Sequence, residues 1–276
     1  MLDNFIYEDH HGRRFVGLEN KVFANYSNLR DYRWSYDTIN NRISRFYMDI
    51  TEKTLPLVVC GMSAEKALAA MNQLHEFAET DIAAKLPGRI YVGEYYTPGY
   101  ILGSQKTDYL ISKRLCKLNL TYISEDPFWY KEKLHVFAPG SAGDIGTTDG
   151  KDYPHDYPYD YIVSQAGREI VCDSIIGNEF RLRIYGDVED PTVIIGGHPY
   201  KVFGTVAEGE TLLIDSITKT ITLTKADGKK VNWFDNRTRE SYIFEPIPTG
   251  KNAVIWNGDF GFDLTVIEKR SEPKWT

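Results

Sequence analysis

Alternation with a period of two dominates the hydrophobic pattern of this chain. In FRLRIYG, Phe180, Leu182 and Ile184 alternate with Arg181, Arg183 and Tyr185, as in a strand with one face turned to a core. RFYMDIT predicts the same with Phe46, Met48 and Ile50 on one face. FGFDLTVIE repeats it, with Phe262, Leu264 and Val266 opposite Asp263 and Thr265. TVIIGGHPYKVF reads as two strands around Gly196-Gly197, and ITLTKADGKKVNWF as two around Asp227-Gly228. Both dipeptides suit the positive φ of tight hairpin turns. From Gly177 onward, short strands recur at roughly ten-residue spacing, which favours an antiparallel sandwich or barrel over an α/β fold.

One segment departs from this period. SAEKALAAMNQLHEFAE predicts a helix near 63–79, with Ala64, Ala67, Leu68, Met71, Leu74, His75 and Ala78 as its apolar stripe. Ser63 suits the N-cap and Glu65 the first turn, while Lys66 stands where a capping box would place Glu. The expected fold class is mainly β with this one helix.

After Phe137 the composition shifts. APGSAGDIGTTDG has almost nothing to bury and separates two β-rich halves. The expected organisation is a first domain over 1–137 and a second over 138–276, entered through a loop or linker at 138–160.

Charge narrows the function classes. Across 276 residues the net charge is −7, and basic residues are scattered singly or in pairs such as Arg13-Arg14 and Lys229-Lys230. Specific nucleic-acid binding needs a clustered basic footprint, so it is not expected. No run approaches the ~18–20 apolar residues of a membrane span, and the N-terminus lacks a signal-peptide pattern, so neither membrane insertion nor secretion is expected. Cys60, Cys116 and Cys172 are too widely spaced for a metal site and are expected to be reduced.

Catalytic signatures are missing: there is no GxSxG, HExxH, GxxxxGK[ST] or GxGxxG. Glu8, Asp9, His10 and His11 are dense in metal-ligand types but read better as a solvated strand or turn. Asp144, Asp149 and Asp152 lack the spacing of a calcium loop. No catalytic residue, cofactor or metal ligand is assigned, and the chain is not expected to be an enzyme.

The aromatics say more. Five Trp and nineteen Tyr supply large contact area with polar handles. YTPGYILGSQKTDYL places them among Gly, Pro and polar residues, as in a projecting hairpin made to touch a neighbour. EDPFWY closes the run LNLTYIS, and DYPHDYPYDY follows the glycine-rich gap. Its prolines make a semi-rigid lead into the second domain.

These motifs carry a resemblance. The chain resembles, over nearly its full length, the distal tail proteins of phages with long non-contractile tails. Asp126, Pro127, Phe128, Trp129 and Tyr130 match the DP-aromatic-x-Tyr signature that closes the family's first domain. Tyr157, Pro158, Tyr159 and Tyr161 match its YPYDY-like entry to the second. RIYGDVEDPTVIIGGHPYKV, GETLLIDSITKTITL, DGKKVNWFD, PTGKNAVIW and the terminal EPKW follow in the family's order. The resemblance implies a ring-forming, β-barrel-like first domain and a galectin-like β-sandwich second domain. It also implies a homo-hexameric ring at the tail tip, with a channel for DNA. Expected partners are the major tail tube protein, a tail-associated hub or lysin protein, and tape-measure and receptor-binding proteins. The expected place is the virion tail tip, assembled in the bacterial host cytoplasm by a phage, a prophage or a phage-derived particle.

The alternative is a carbohydrate-binding sandwich recognising host cell-surface glycans. Trp233, Asn236, Arg237 and Trp256 have the chemistry for glycan contact, with Asn232 and Asn257 beside them. Against it, the His-x-Asn-x-Arg pattern of sugar-binding galectins is absent, and the nearest histidine, His198, begins HPYK.

Overall fold

A computed structural model describes residues 5–24, 28–60, 63–109, 115–140, 169–175 and 177–275. The fold is mainly β, as the alternating pattern predicts. The chain divides into two compact units, Met1–Lys131 with Lys269–Thr276, and Glu132–Glu268. The composition shift predicts a division at 137/138 with the C-terminal residues in the second domain. The observed division falls inside a strand, and the last eight residues group with the first unit.

The first unit contains β1 (Ile6–Glu8), β2 (Arg14–Val16), α1 (Gly17–Asn20), β3 (Val22–Ala24), β4 (Ser35–Ile39) and β5 (Arg42–Tyr47). β6 (Thr51–Cys60), α2 (Ala64–Ala84), β7 (Gly88–Val92), β8 (Tyr95–Tyr109), β9 (Leu115–Ser124) and the start of β10 (Trp129–Phe137) follow. One antiparallel layer runs β2-β1-β7-β8 and the other β3-β6-β9-β8. β8 therefore serves both layers: Gly99 pairs with Gly88 of β7, and the next residue, Tyr100, pairs with Ile123 of β9. A Cβ on Gly99 would lie 2.3 Å from the Ile123 carbonyl oxygen, so the handover requires glycine there. The segment expected to project, YTPGYILGSQKTDYL, is thus a sheet strand. Its Ile101 is buried in the core of the first unit, and its Tyr96 is covered on the other side by Tyr91 and Tyr130.

The projecting element lies elsewhere. Among the described residues β4 and β5 pair only with each other, as a two-stranded sheet of their own. The expected half-buried strand in RFYMDIT does not form: β5 ends at Tyr47, β6 starts at Thr51, and Phe46 and Ile50 are exposed.

α2 is capped as expected, with the Ser63 hydroxyl accepting from the Lys66 N–H at 3.2 Å. It runs five residues past Glu79 and ends on Lys85 in the left-handed region at φ 56°. Its buried line is Ala67, Ala70, Leu74, Phe77, Ala78 and Asp81, rotated from the predicted stripe, with Leu68 and His75 facing outward. Ala67 and Ala70 let the helix sit close to the sheet. Asp81 stays in line because it is a buried hydrogen-bond acceptor, which a count of apolar residues passes over.

The second unit contains β11 (Glu169–Cys172), β12 (Glu179–Tyr185), β13 (Val188–Glu189), β14 (Thr192–Ile195), β15 (His198–Lys201) and β16 (Thr205–Val206). β17 (Thr211–Asp215), β18 (Thr220–Thr224), β19 (Lys230–Asn232), β20 (Gly250–Ile255) and most of β21 (Phe262–Arg270) complete it. One layer is ordered β19-β18-β17-β12-β21 and the other β11-β20-β14-β15. Phe180, Leu182, Ile184, Leu212, Ile214 and Leu264 of the first layer share a core with Ile170, Val193, Ile195 and Val254 of the second. This is a galectin-like β-sandwich whose two inner faces share one core. The Gly196-Gly197 turn has positive φ at both residues, 59° and 85°, and joins β14 to β15 in register. At the other predicted turn only Gly228 has positive φ, and five residues separate the paired ends Thr224 and Lys230.

Candidate functional site

The seam residues of EDPFWY take different environments because β10 begins inside the motif. Trp129, at the head of the strand, is fully buried in the core of the first unit. Tyr130 falls on the opposite face, paired with Tyr96 of β8. Its hydroxyl donates to the Asp126 carboxylate. Lys269 completes the knot: its Nζ lies 3.6 Å from Asp126 Oδ1, 3.9 Å from the Phe128 ring centre and 5.5 Å from that of Tyr130. An ammonium between two ring faces and a carboxylate is favourable by electrostatics alone. Trp34, one residue before β4, packs edge-on to Phe128 at 5.6 Å. The motif therefore sits at the root of the β4–β5 hairpin.

From Tyr130 the contacts continue across the sheet. Tyr130 meets Tyr96 at 5.8 Å and Tyr96 meets Tyr91 at 5.6 Å, while Arg89 lies 4.5 Å over Tyr96 and Arg14 5.1 Å over Tyr91. Glu8 accepts from Arg14 and stands 3.6 Å from Arg89. Cross-strand pairs of this kind contribute ~0.2–1 kcal/mol each, so their combined effect is to hold the sheet in one register. The ladder uses its charged groups on its own rings.

The N-terminal cluster also has internal duties. Asp81, fully buried, accepts from the Tyr7 hydroxyl and from the His10 N–H at 2.9 Å, with His10 Nδ1 2.6 Å away. Burial, then that bond, push the Tyr7 phenol far up, and burial does the same to the enclosed Tyr122. Asp9 accepts from Arg13 Nε at 2.6 Å and from two backbone N–H groups, and is held below the usual carboxylate range by those bonds against its own burial. Among the described residues no group of three or more His, Cys, Asp or Glu is placed to hold a metal ion. None of the described helices is long and apolar enough to cross a membrane.

Two surface features of the first unit stand out. On the β4–β5 hairpin, Tyr36, Ile39, Ile43 and Phe46 are between 52 % and 64 % exposed. Beside α2, an apolar groove of about 350 Å³ is lined by Met71, Leu74, Ile82, Ile101, Leu102 and Leu118, among others.

In the second unit, Trp256 is buried against Phe137 and Phe262, and its Nε1 donates to the Phe260 carbonyl at 3.1 Å. Trp233 packs against the core and over Gly204. Asn236 donates to the Phe203 carbonyl at 2.9 Å, and Arg237 lies 3.8 Å over Phe234 while donating to its carbonyl at 2.7 Å. Trp233, Asn236 and Arg237 do come together, but each of these contacts is internal to the unit. Tyr157, Pro158, Tyr159 and Tyr161 lie outside the described residues. Of the three cysteines, Cys116 and Cys172 are buried, Cys60 is exposed, and all are free thiols.

The fold of the chain is shared with solved phage proteins. The chain has the fold of the crystal structure of SPP1 Dit, described as a paradigm of the hub adsorption apparatus in Gram-positive infecting phages. The likeness has a TM-score of 0.57 at 11 % identity and covers 98 % of this chain and 100 % of that one. A chain of the phage P2 baseplate, in its activated conformation with Ca, matches at a TM-score of 0.58 and 13 % identity, over 99 % of this chain and all of that one. The same baseplate with Sr matches at 0.58 and 14 % identity over the same shares. No protein-family profile and no curated protein sequence is similar to the chain at a significant level.

Proposed function

We propose that this protein is the distal tail adaptor of a long non-contractile phage tail. The observation that carries this reading is a full-length likeness, spanning both units, to a Dit hub protein and to baseplate chains. A match confined to one small domain would argue little; here it extends over 98–99 % of the chain at TM-scores of 0.57 and 0.58. In this role six copies form a ring at the tube's end, first units around a DNA channel and sandwiches outward. The tube protein lies on one side and the hub or lysin protein on the other, with tape-measure and receptor-binding proteins as further neighbours. Assembly takes place in the host cytoplasm and the product resides at the virion tail tip. The role is structural and non-catalytic. The net charge of −7 suits a conduit that DNA slides through, since tight phosphate contacts would slow passage.

The test is the mass of the purified chain by light scattering at two concentrations and two salt levels, followed by imaging. Six copies with a central channel are expected. A strict monomer that also fails to join purified tube protein would remove the reading. A reproducible hit on a glycan array would move it toward host-surface recognition.

A further inference from the structure

We propose that the β4–β5 hairpin of one copy seats in the α2–β8 groove of the next copy, and that this contact closes the assembly. The inference rests on the ring reading above and names its surfaces.

Among the described residues the hairpin pairs with no other strand. β4 and β5 form a separate two-stranded sheet, and an isolated pair of strands is marginally stable in water. Yet Tyr36, Ile39, Ile43 and Phe46 stand mostly in solvent. Its aromatic tie to the body among the described residues is at the root, where Trp34 meets Phe128. An element so built is anchored at one end and presents apolar side chains at the other.

The groove supplies what the hairpin lacks. Its volume of about 350 Å³ suits a few large side chains, and its walls come from rigid elements, α2 and the paired strands β8 and β9. Ile82 and Leu102 on its rim are 43 % and 52 % exposed, so the apolar surface continues outside the cavity. Charge favours this occupant. Arg33–Tyr47 carries three arginines against one aspartate, while the outward acids of Ala64–Ala84 are Glu65, Glu76 and Glu79 against one lysine. Glu76 and Glu79, on the solvent side of α2, are about 70 % exposed, with side-chain values of 69 % and 70 %. A basic arm and an acidic helix attract at the rim and set orientation, while the apolar groups supply the buried area. Donor and acceptor are different patches of one subunit, the arrangement that propagates head to tail and closes under rotation.

The experiment uses the full chain with Cys60→Ser to remove the exposed thiol. Ile43→Asp and Leu102→Arg, both at solvent-exposed positions, are made separately and weighed by light scattering, with circular dichroism to confirm folding. Ile43→Cys and Leu102→Cys are placed in separately tagged proteins, mixed and oxidised. Expected is an oligomer for the parent, single chains for each charged variant, and a disulfide joining the two tags. A six-copy parent left intact by both charged variants, with no cross-link, overturns the hairpin–groove contact and leaves the ring standing. An oligomer of another number that both variants break supports the contact and removes the hexamer. A monomeric parent without cross-link removes both. A third protein carries Ile43→Cys and Leu102→Cys together; a disulfide that forms only within that single chain shows that the hairpin folds back on its own groove, and overturns the proposal.

Discussion

At the residue scale, the DPFWY motif divides its work between burial and electrostatics. Trp129 fills the core of the first unit, so Trp129→Ala is expected to cost ~3–5 kcal/mol through lost transfer energy and an unfilled cavity. Lys269→Met keeps the aliphatic stem and loses only the charge over Phe128 and near Asp126, for ~0.5–1 kcal/mol. Urea midpoints separate the two, and equal losses would refute this division. Lys53 gives a pH dependence. Its Nζ donates to the Leu29 and Asp31 carbonyls at 2.6 and 2.7 Å, and burial lowers its pKa to about 8 from 10.5. Between those values the unfolded chain holds the proton that the folded chain has released, so stability rises with pH across that window. At ~1.4 kcal/mol per pKa unit, the gain from pH 8 to about 9.5 is about 2 kcal/mol. Above pH 10 the trend reverses, because Tyr7 and Tyr122 stay protonated when folded and ionise when unfolded. Lys53→Met should lose this rise between pH 8 and 9.5, leaving the downward slope of Cys172, whose buried thiol keeps its proton when folded, and an unchanged upward slope would assign the rise to another group. None of this was legible in the sequence: Lys53 there is one polar position of an alternating strand, and its two carbonyl partners come from a turn more than twenty residues away.

At the element scale, the alternation of strands was read correctly wherever a strand has one buried and one wet face. Phe180, Leu182 and Ile184 on β12 and Phe262, Leu264 and Val266 on β21 all lie in the sandwich core. The same rule misread two places for one reason. Phe46 and Ile50 alternate with polar residues yet face solvent, and Ile101 of β8 sits among glycines and polar residues yet faces a core. Alternation reports that a strand has two unlike faces, and not which partner covers the apolar one. The candidate assembly surface therefore had its chemistry visible and its place reversed. α2 offers a prediction at this scale. Lys85 ends the helix at φ 56°, a conformation costly for any side chain and free for glycine. Lys85→Gly should stabilise the first unit by about 0.5–1 kcal/mol and raise its melting temperature. A fall would mean that the lysine side chain matters more than its backbone.

At the scale of the whole molecule, the two units were visible as two β-rich stretches around a glycine-rich gap, but the path of the chain between them was not. Lys269–Thr276 returns to the first unit after β21, and a linear reading has no signal for a segment that rejoins an earlier domain. What ties it down is specific: Lys269 against Phe128 and Asp126, and Trp275 with Arg30 4.4 Å over its ring and its Nε1 donating to Glu272 at 2.6 Å. Arg30 closes the turn whose Leu29 carbonyl Lys53 holds, and Phe128 supports Trp34 at the hairpin root. Removing residues after Glu268 should therefore loosen one connected region, the turn at Asn28–Arg30, the DPFWY segment and the base of β4, while the sandwich core keeps its protection. Hydrogen exchange read by mass spectrometry checks this directly. Faster exchange confined to those segments supports the strap. Uniform acceleration through β12, β17 and β21 as well would show that the tail holds the second unit together too. If the hairpin closes the assembly, the truncated chain should also lose oligomer mass without any change in the groove, since a loosened root no longer presents the arm in one direction.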